Sequence, residues 1–484
     1  MLLAIVIMIN IHNWHFDFFK EEPAIFGKWE VYSCGDNITH ISDGADTPIK
    51  VAKNIWLQSL APSIHLCVDR VEGIAVLVPT YVGFFPVYYS QNRASLDPIN
   101  LFNKGDAEIN LSVLKSFLGH AHVYPTQSLF KGISKIHPRN ILIITAKGSH
   151  LQKIELNRQD VITQSNELDN VIESYVPKIS NGKIALGFSG GLDASVLLKK
   201  YKNLSNMRSI TIEAYGGRKE TDTQEKMLGA LGLQQNIYRV SDIQALDLIR
   251  SDLNNLPEPF GHPIAIKYAA LAKIVSAEGF DGLITGDGAD ELWNFNGPYM
   301  DTENQMIKPF FSGFSDDLVP VPYNARCIKE YIQYINIYSY AAAGNTMCLQ
   351  NMCFQNSIKL YMPYFHPQCI VNAAEYTIEQ PEYTKKEFLK NYAKKLLPND
   401  IIYQPKKGFR SDAESSFRDG ILRESLEQKL LQWPSELIPE RYREICRDTL
   451  ASHLVSEDKG LSFQLYMWLS LLEWLSSRDF KYAS

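Results

Sequence analysis

Residues 186–197 read LGFSGGLDASVL, an apolar run broken by Ser189, Gly190 and Gly191 and followed by Asp193 and Ser195. If the run is a strand and the residues after Leu192 start a helix, the backbone N–H groups of the Ser-Gly-Gly turn point outward at the positive end of that helix. This geometry holds phosphate oxygens. Glycine admits close backbone approach, and the Ser189 and Ser195 hydroxyls add donors. Asp193 is the odd member, since a carboxylate repels phosphate unless a divalent cation lies between them, so its presence argues for Mg²⁺ bridging to a polyphosphate. The Gly-Lys-Ser/Thr of a Walker loop is absent, which makes this a different nucleotide loop. The competing reading is a plain strand-to-helix turn.

A second acidic loop supports the first. Residues 283–292 read LITGDGADEL, placing Gly286, Asp287, Gly288, Asp290 and Glu291 after another apolar run. In an open parallel sheet, ligands gather at the carboxyl ends of the strands, so two such loops can face one pocket. Asp290 then offers the metal a second carboxylate, and Asp287 a base or an orienting group. Alone, this loop reads equally as an acidic surface turn. A third element is YQPKKGF at 403–409, where Lys406 or Lys407 is either solvated charge or a cation folded over the nucleotide.

These loops need a scaffold. The chain has 484 residues, enough for two or three domains. The first ~150 residues carry short apolar or alternating runs between Gly, Pro, Asn and Asp turns, the pattern of a sheet-rich α+β domain. Over 161–484, strands expected at 183–188, 208–212, 237–240 and 282–285 alternate with helical segments, which implies a parallel sheet covered on both faces. Helices follow at 328–343, 385–397 and 463–475, the last as a buried stripe, and residues 300–323 read as a long mobile loop.

A formal net charge of −6 gives no basic field to attract nucleic acid. MLLAIVIMIN at the start lacks a cationic flank and a cleavage site, and reads as a buried strand. No apolar run reaches the roughly 20 residues of a membrane span. Seven cysteines without close pairing suit a reducing cytoplasm, mostly as small buried hydrophobes.

Taken in order, SGGLDAS at 189–195, PEPFGHPIAI at 257–266, TGDGADEL at 285–292, YMPYF at 361–365 and LLPNDIIYQPKKGF at 396–409 resemble the asparagine synthetase superfamily. Upstream, YVGFFPVYY at 81–89 and LFKGISKIHP at 129–138 are similar to its amino-terminal glutaminase domain. The resemblance implies a degenerate Ntn-hydrolase-like sandwich over 1–160. It also implies a pyrophosphatase-loop ATP-binding domain with a helical carboxyl-terminal part over 161–484.

It further implies ATP on Ser189, Gly190, Gly191, Asp193, Ser195, Gly286 and Gly288, Mg²⁺ on Asp193 and Asp290, and Lys406 and Asp287 as catalytic groups. The family adenylates a carboxylate, releases pyrophosphate, and captures the acyl-adenylate with an amine.

The departures shift the substrate. Leu2 stands where the glutaminase nucleophile would be a cysteine, so the resemblance implies a silent scaffold that makes no ammonia. Ala194 replaces a serine, and Pro257 and His262 replace acidic residues, which points away from aspartate recognition. Asp287 stands where β-lactam synthetases resemble one another in having Tyr.

The expectation is a lasso-peptide-type macrolactam cyclase whose partners are a carboxylate-bearing peptide and a precursor-processing protease. Alternatives are a β-lactam synthetase-like cyclase, an ammonia-dependent asparagine synthetase and a catalytically silent binding subunit.

Overall fold

The computed structural model describes residues 9–11, 14–16, 22–35, 41–42, 44–103, 106–161, 167–214, 228–229, 236–294, 300–301, 306–307, 319–320, 325–379, 386–404, 413–456 and 459–478. Its amino-terminal part is built from two sheets. One has the order Gly148–Lys153, Asn140–Thr145, Ile74–Val78, Ile64–Asp69, Trp29–Cys34 and Ala24–Phe26, antiparallel throughout. The other runs Ile9–Ile11, Trp14–Phe16, Arg93–Ser95, Tyr88–Ser90 and Ser134–Lys135.

Side chains alternate across a strand, so Leu66 and Leu77 face the second sheet and pack with Phe16, Phe85 and Val87. Their neighbours Cys67 and Val76 join the larger core on the opposite face. Helix Pro48–Gln58 also belongs to that core, starting with proline after a Thr47 cap and burying Val51, Ala52, Ile55 and Trp56.

The rest of the chain is organised by a five-stranded parallel sheet in the order Asn236–Val240, Met207–Ala214, Ile184–Gly187, Gly282–Ile284 and Lys359–Tyr361. The strands expected from the sequence lie within two residues of these. The fifth strand, Lys359–Tyr361, opens the YMPYF stretch and had no strand signal, because three residues are too few to show a period. The chain order 3-2-1-4-5 reverses direction between Ile184–Gly187 and Gly282–Ile284. That reversal opens a crevice at the carboxyl ends of two neighbouring strands.

The final helix, Lys459–Ser476, buries Trp468, Leu469, Leu472 and Trp474, as its apolar stripe required. No described helix is long and apolar enough to cross a membrane. Within 300–323, read from the sequence as a long mobile loop, the described residues form a small antiparallel sheet of Met300–Asp301, Met306–Ile307 and Val319–Pro320. Two-residue strands carry no readable alternation. Residues 1–8 lie outside the described residues, and Ile9–Ile11 is a strand. Six of the seven cysteines are buried, and burial raises the thiol pKa of Cys67, Cys348, Cys353 and Cys446.

The two-sheet part and the parallel-sheet part are joined by a buried ion pair. Glu258, from the PEPF stretch, takes the Lys135 ammonium at 2.7 Å on Oε2 and the Leu129 N–H at 2.7 Å on Oε1. The Tyr88 hydroxyl donates to the same Oε2 at 3.1 Å. Tyr88 and Lys135 face each other across paired strands, and the Lys135 and Glu258 side chains are only 5% and 2% exposed. A second tie lays the buried Arg139 guanidinium over the rings of Tyr334 and Tyr338 at 4.8 and 4.5 Å.

Removing one partner of a buried pair strands the other charge. Glu258→Ala should therefore cost about 3–5 kcal/mol in denaturant unfolding. Glu258→Leu combined with Lys135→Met should recover most of that loss; a double variant as unstable as the single one would disprove the pairing energetics.

Candidate active site

Strand Ile184–Gly187 is apolar, with Ile184, Ala185 and Leu186 buried, because it lies inside a parallel sheet against which helices pack, and it leads into the Ser-Gly-Gly turn. Gly190 adopts φ +78°, a left-handed conformation that favours glycine, and reverses the chain into helix Leu192–Tyr201. Gly191 caps that helix without a side-chain hydrogen bond, so no side chain competes for the donors of its first turn. Ser189 is exposed, and its Oγ accepts from the Gly191 N–H at 3.4 Å. Ser195 is fully buried with its hydroxyl lacking a hydrogen-bond partner, in the same first turns of the helix.

The neighbouring strand Gly282–Ile284 delivers the second loop beside the first. A Cβ on Gly286 would stand 2.9 Å from the Ala194 nitrogen and 3.0 Å from the Asp193 Cβ, so only glycine lets the loops touch. Gly288, at φ +102°, turns the chain into helix Ala289–Trp293, and its missing side chain leaves room for Tyr364 and Phe365. The Tyr364 hydroxyl donates to the Asp193 carbonyl at 3.0 Å. YMPYF thus packs against both loops.

Asp193 and Asp290 meet at one cation. The Lys386 ammonium lies 2.8 and 2.6 Å from the two Asp193 carboxylate oxygens and 2.8 Å from Asp290 Oδ1. Burial would lower its pKa, but the two carboxylates outweigh this and hold it above the ordinary lysine value. Among the described residues no group of three His, Cys, Asp or Glu side chains forms a metal cage. A Mg²⁺ held by Asp193 and Asp290 would therefore be completed by phosphate oxygens and water, the usual way this ion is bound.

Asp287 lies deeper and accepts a hydrogen bond from the Tyr268 hydroxyl at 3.3 Å; burial raises its pKa. Glu291 Oε2 accepts from the Gly288 N–H at 3.0 Å, reaching back one turn to satisfy the backbone donor at the helix start. Desolvation, then the Asp290 and Asp287 charges, push its pKa up to about 8.

Of the residues singled out from the sequence, Ser189, Gly190, Gly191, Asp193, Ser195, Gly286, Asp287, Gly288 and Asp290 all sit on these two loops and the helix starts they lead into. Lys406 and Lys407 lie outside the described residues. Just before them, Gln404 donates from Nε2 to the Gly190 carbonyl at 2.7 Å, so the chain at Gln404 touches the Ser-Gly-Gly turn. His262 is packed between Phe260 and Phe463, and burial pushes its pKa down to about 4, leaving it neutral.

Lys386 was missed in the sequence. Its signal was a lysine at the start of a helix, Glu387–Ala393, where the dipole disfavours a cation. It also adopts φ +56°, a conformation that costs a non-glycine residue about 1–2 kcal/mol.

A parallel sheet with a glycine turn and paired aspartates at its switch point defines an α/β protein with backbone donors and carboxylates in one crevice. The asparagine synthase family model matches residues 178–312 and 332–476, and the chain belongs to that family. An argininosuccinate synthase from Haloarcula marismortui is 26% identical over 140 residues, 27% of this chain and 33% of that protein. The chain thus matches about a third of the length of this curated relative.

Among solved structures, the NH3-dependent NAD synthetase from Campylobacter jejuni is similar at TM-score 0.20 and 13% identity, covering 49% of this chain and 87% of that one. The NMN synthetase from Francisella tularensis is similar at TM-score 0.22 and 10% identity, covering 49% of this chain and 100% of that one.

Gly286→Ala should destabilise the protein by about 1–3 kcal/mol in chemical denaturation, because the new Cβ meets backbone. A neutral result would mean that the loops are not held in contact. In the metal-free protein, Glu291 keeps its proton up to about 8 when folded and releases it near the ordinary 4.5 when unfolded. Stability should therefore fall as pH rises across that window. Glu291→Gln should flatten the fall, and an unchanged pH profile would assign it to other groups.

Proposed function

We propose that the protein is an ATP-dependent carbon–nitrogen ligase that activates a carboxylate as its acyl-adenylate and captures it with an amine. The observation that carries this reading is the convergence of Asp193 and Asp290 on a single cation, 2.6–2.8 Å away, beside the uncapped helix start after Gly191. Membership of the asparagine synthase family supports the same chemistry.

In this reading, the Ser189 to Gly191 backbone and the Ser195 hydroxyl take the leaving pyrophosphate, with Gly286 and Gly288 giving the ribbon of backbone room to pass. Asp193 and Asp290 would hold Mg²⁺, which when bound would neutralise charge on the phosphates. A carboxylate oxygen of the substrate attacks the α-phosphorus of ATP and pyrophosphate departs. The amine then attacks the acyl carbon, AMP departs, and the surplus amine proton passes to a base. Asp287 is that base or its orienting partner, since its raised pKa brings proton acceptance closer to neutral pH. Lys406 neutralises the charge that builds on the adenylate.

The substrate we assign is a peptide whose Asp or Glu side chain is closed onto its own N-terminal amine, a lasso-peptide-type macrolactam. What supports this finer choice over a β-lactam synthetase-like cyclase is Asp287, where those enzymes resemble one another in having Tyr; an acidic residue there is closer to asparagine synthetases and to some macrolactam formers. The domain division at about residue 160 and the silent glutaminase-like sandwich belong to the same proposal, as does a precursor-processing protease that supplies the free amine.

ATP–pyrophosphate exchange should appear with Asp- or Glu-containing peptides, followed by loss of one water from the peptide mass. Asp193→Asn should reduce exchange about 10²–10³-fold. Exchange with free aspartate and ammonium alone would replace the cyclase by an asparagine synthetase, and absence of Mg-dependent ATP binding would refute the ligase. Lys406→Met should spare ATP binding and slow amide formation; a defect confined to Lys407→Met would move the role by one residue.

A further inference from the structure

Three hydrogen-bond donors are available on a lysine ammonium. At Lys386 they face Asp193 Oδ1, Asp193 Oδ2 and Asp290 Oδ1, all at 2.6–2.8 Å. These are the same oxygens a divalent cation would need, at 2.0–2.1 Å for Mg²⁺. An ammonium in this position and a dication on both carboxylates would repel each other at contact distance in a partly buried site, where screening is weak. The two occupants therefore compete for the carboxylate pair.

The side chain is tethered in a way that fits exchange rather than removal. Its backbone is fixed, with the Lys386 N–H donating to the Trp293 carbonyl at 2.6 Å and its own carbonyl accepting from the Lys390 N–H at 2.8 Å. The left-handed φ of +56° is retained by a residue that is not glycine, which marks a conformation held for what it positions. Trp293 ends the helix that begins beside Asp290, so one short element carries both the carboxylate and the anchor of its counter-ion. Asp193 lies in the first turn of the helix capped by Gly191, so the ammonium stands next to the proposed phosphate site.

We propose that Lys386 is a resident counter-ion of the nucleotide site. It holds Asp193 and Asp290 together when no metal is bound, yields their oxygens to Mg²⁺, and turns its ammonium onto the polyphosphate that arrives with the metal. It is a positioning residue in the first state and a ligand of the nucleotide in the second. The second half rests on the ATP-ligase reading above; the first half does not.

The test has a metal arm and a nucleotide arm, both read by direct binding. In Lys386→Met, Mn²⁺ alone should bind at least about tenfold more tightly than in the wild type, because the competing ammonium is gone, while ATP in the presence of Mg²⁺ should bind about tenfold more weakly. Lys386→Arg should keep metal affinity low. Unchanged Mn²⁺ affinity in Lys386→Met would overturn the competition, and unchanged Mg-ATP affinity would overturn the transfer to phosphate.

If Lys386→Met does not fold, the wild-type protein answers by amine acylation mapped to Lys386. Labelling should be slow without ligand, several-fold faster with Mg²⁺ alone and slow again with Mg-ATP. A rate indifferent to Mg²⁺ would overturn the proposal. A wild type that never binds Mg-ATP would strike the ligase reading, and the metal arm would still judge Lys386.

Discussion

Two carboxylates brought to one point repel each other unless positive charge stands between them, and the centre of this protein is arranged around that constraint. The sheet brings Asp193 and Asp290 together because its strand order reverses between Ile184–Gly187 and Gly282–Ile284, which sets their loops side by side. Contact then depends on Gly286, where any side chain would push the Asp193 turn away. Lys386 supplies the charge, and it is held from behind by the carbonyl of Trp293. Strand order, glycine and lysine each solve a different part of one electrostatic problem.

The surrounding polar groups follow from the same crowding. Asp287 and Glu291 share the loop with Asp290, and burial together with neighbouring negative charge raises the pKa of each. The helix start after Gly191 carries one acid in its first turn, Asp193, and no side chain caps its backbone donors. The crevice therefore has one end rich in carboxylates and one end rich in backbone donors. An ionised polyphosphate bridged by a cation fits such a gradient in charge.

Much of this was legible in the sequence. The glycine and acid spacing of residues 189–195 and 285–292, each after an apolar run, located both loops and the strands that carry them. Lys386 was not legible, since its role depends on a left-handed backbone and on a partner pair almost 100 and 200 residues away in the chain. Glu258 was read only as part of a family-like stretch beside altered substrate positions. Its function as a tie to Lys135 arises from tertiary packing that no local pattern encodes. Short strands such as Lys359–Tyr361 and Met300–Asp301 escaped because alternation needs more residues than they have.

The Glu258 tie also bears on how such a chain could change over time. Its carboxylate belongs to the parallel-sheet half, while the Lys135 ammonium, the Tyr88 hydroxyl and the Leu129 N–H that satisfy it belong to the two-sheet half. Deleting the two-sheet half would expose a ready-made acidic hole and the aromatic surface around Tyr334 and Tyr338. A lineage could not discard the two-sheet half without rebuilding the neighbouring surface that satisfies Glu258. Structural indebtedness of this kind preserves an architecture independently of any chemistry its parts perform.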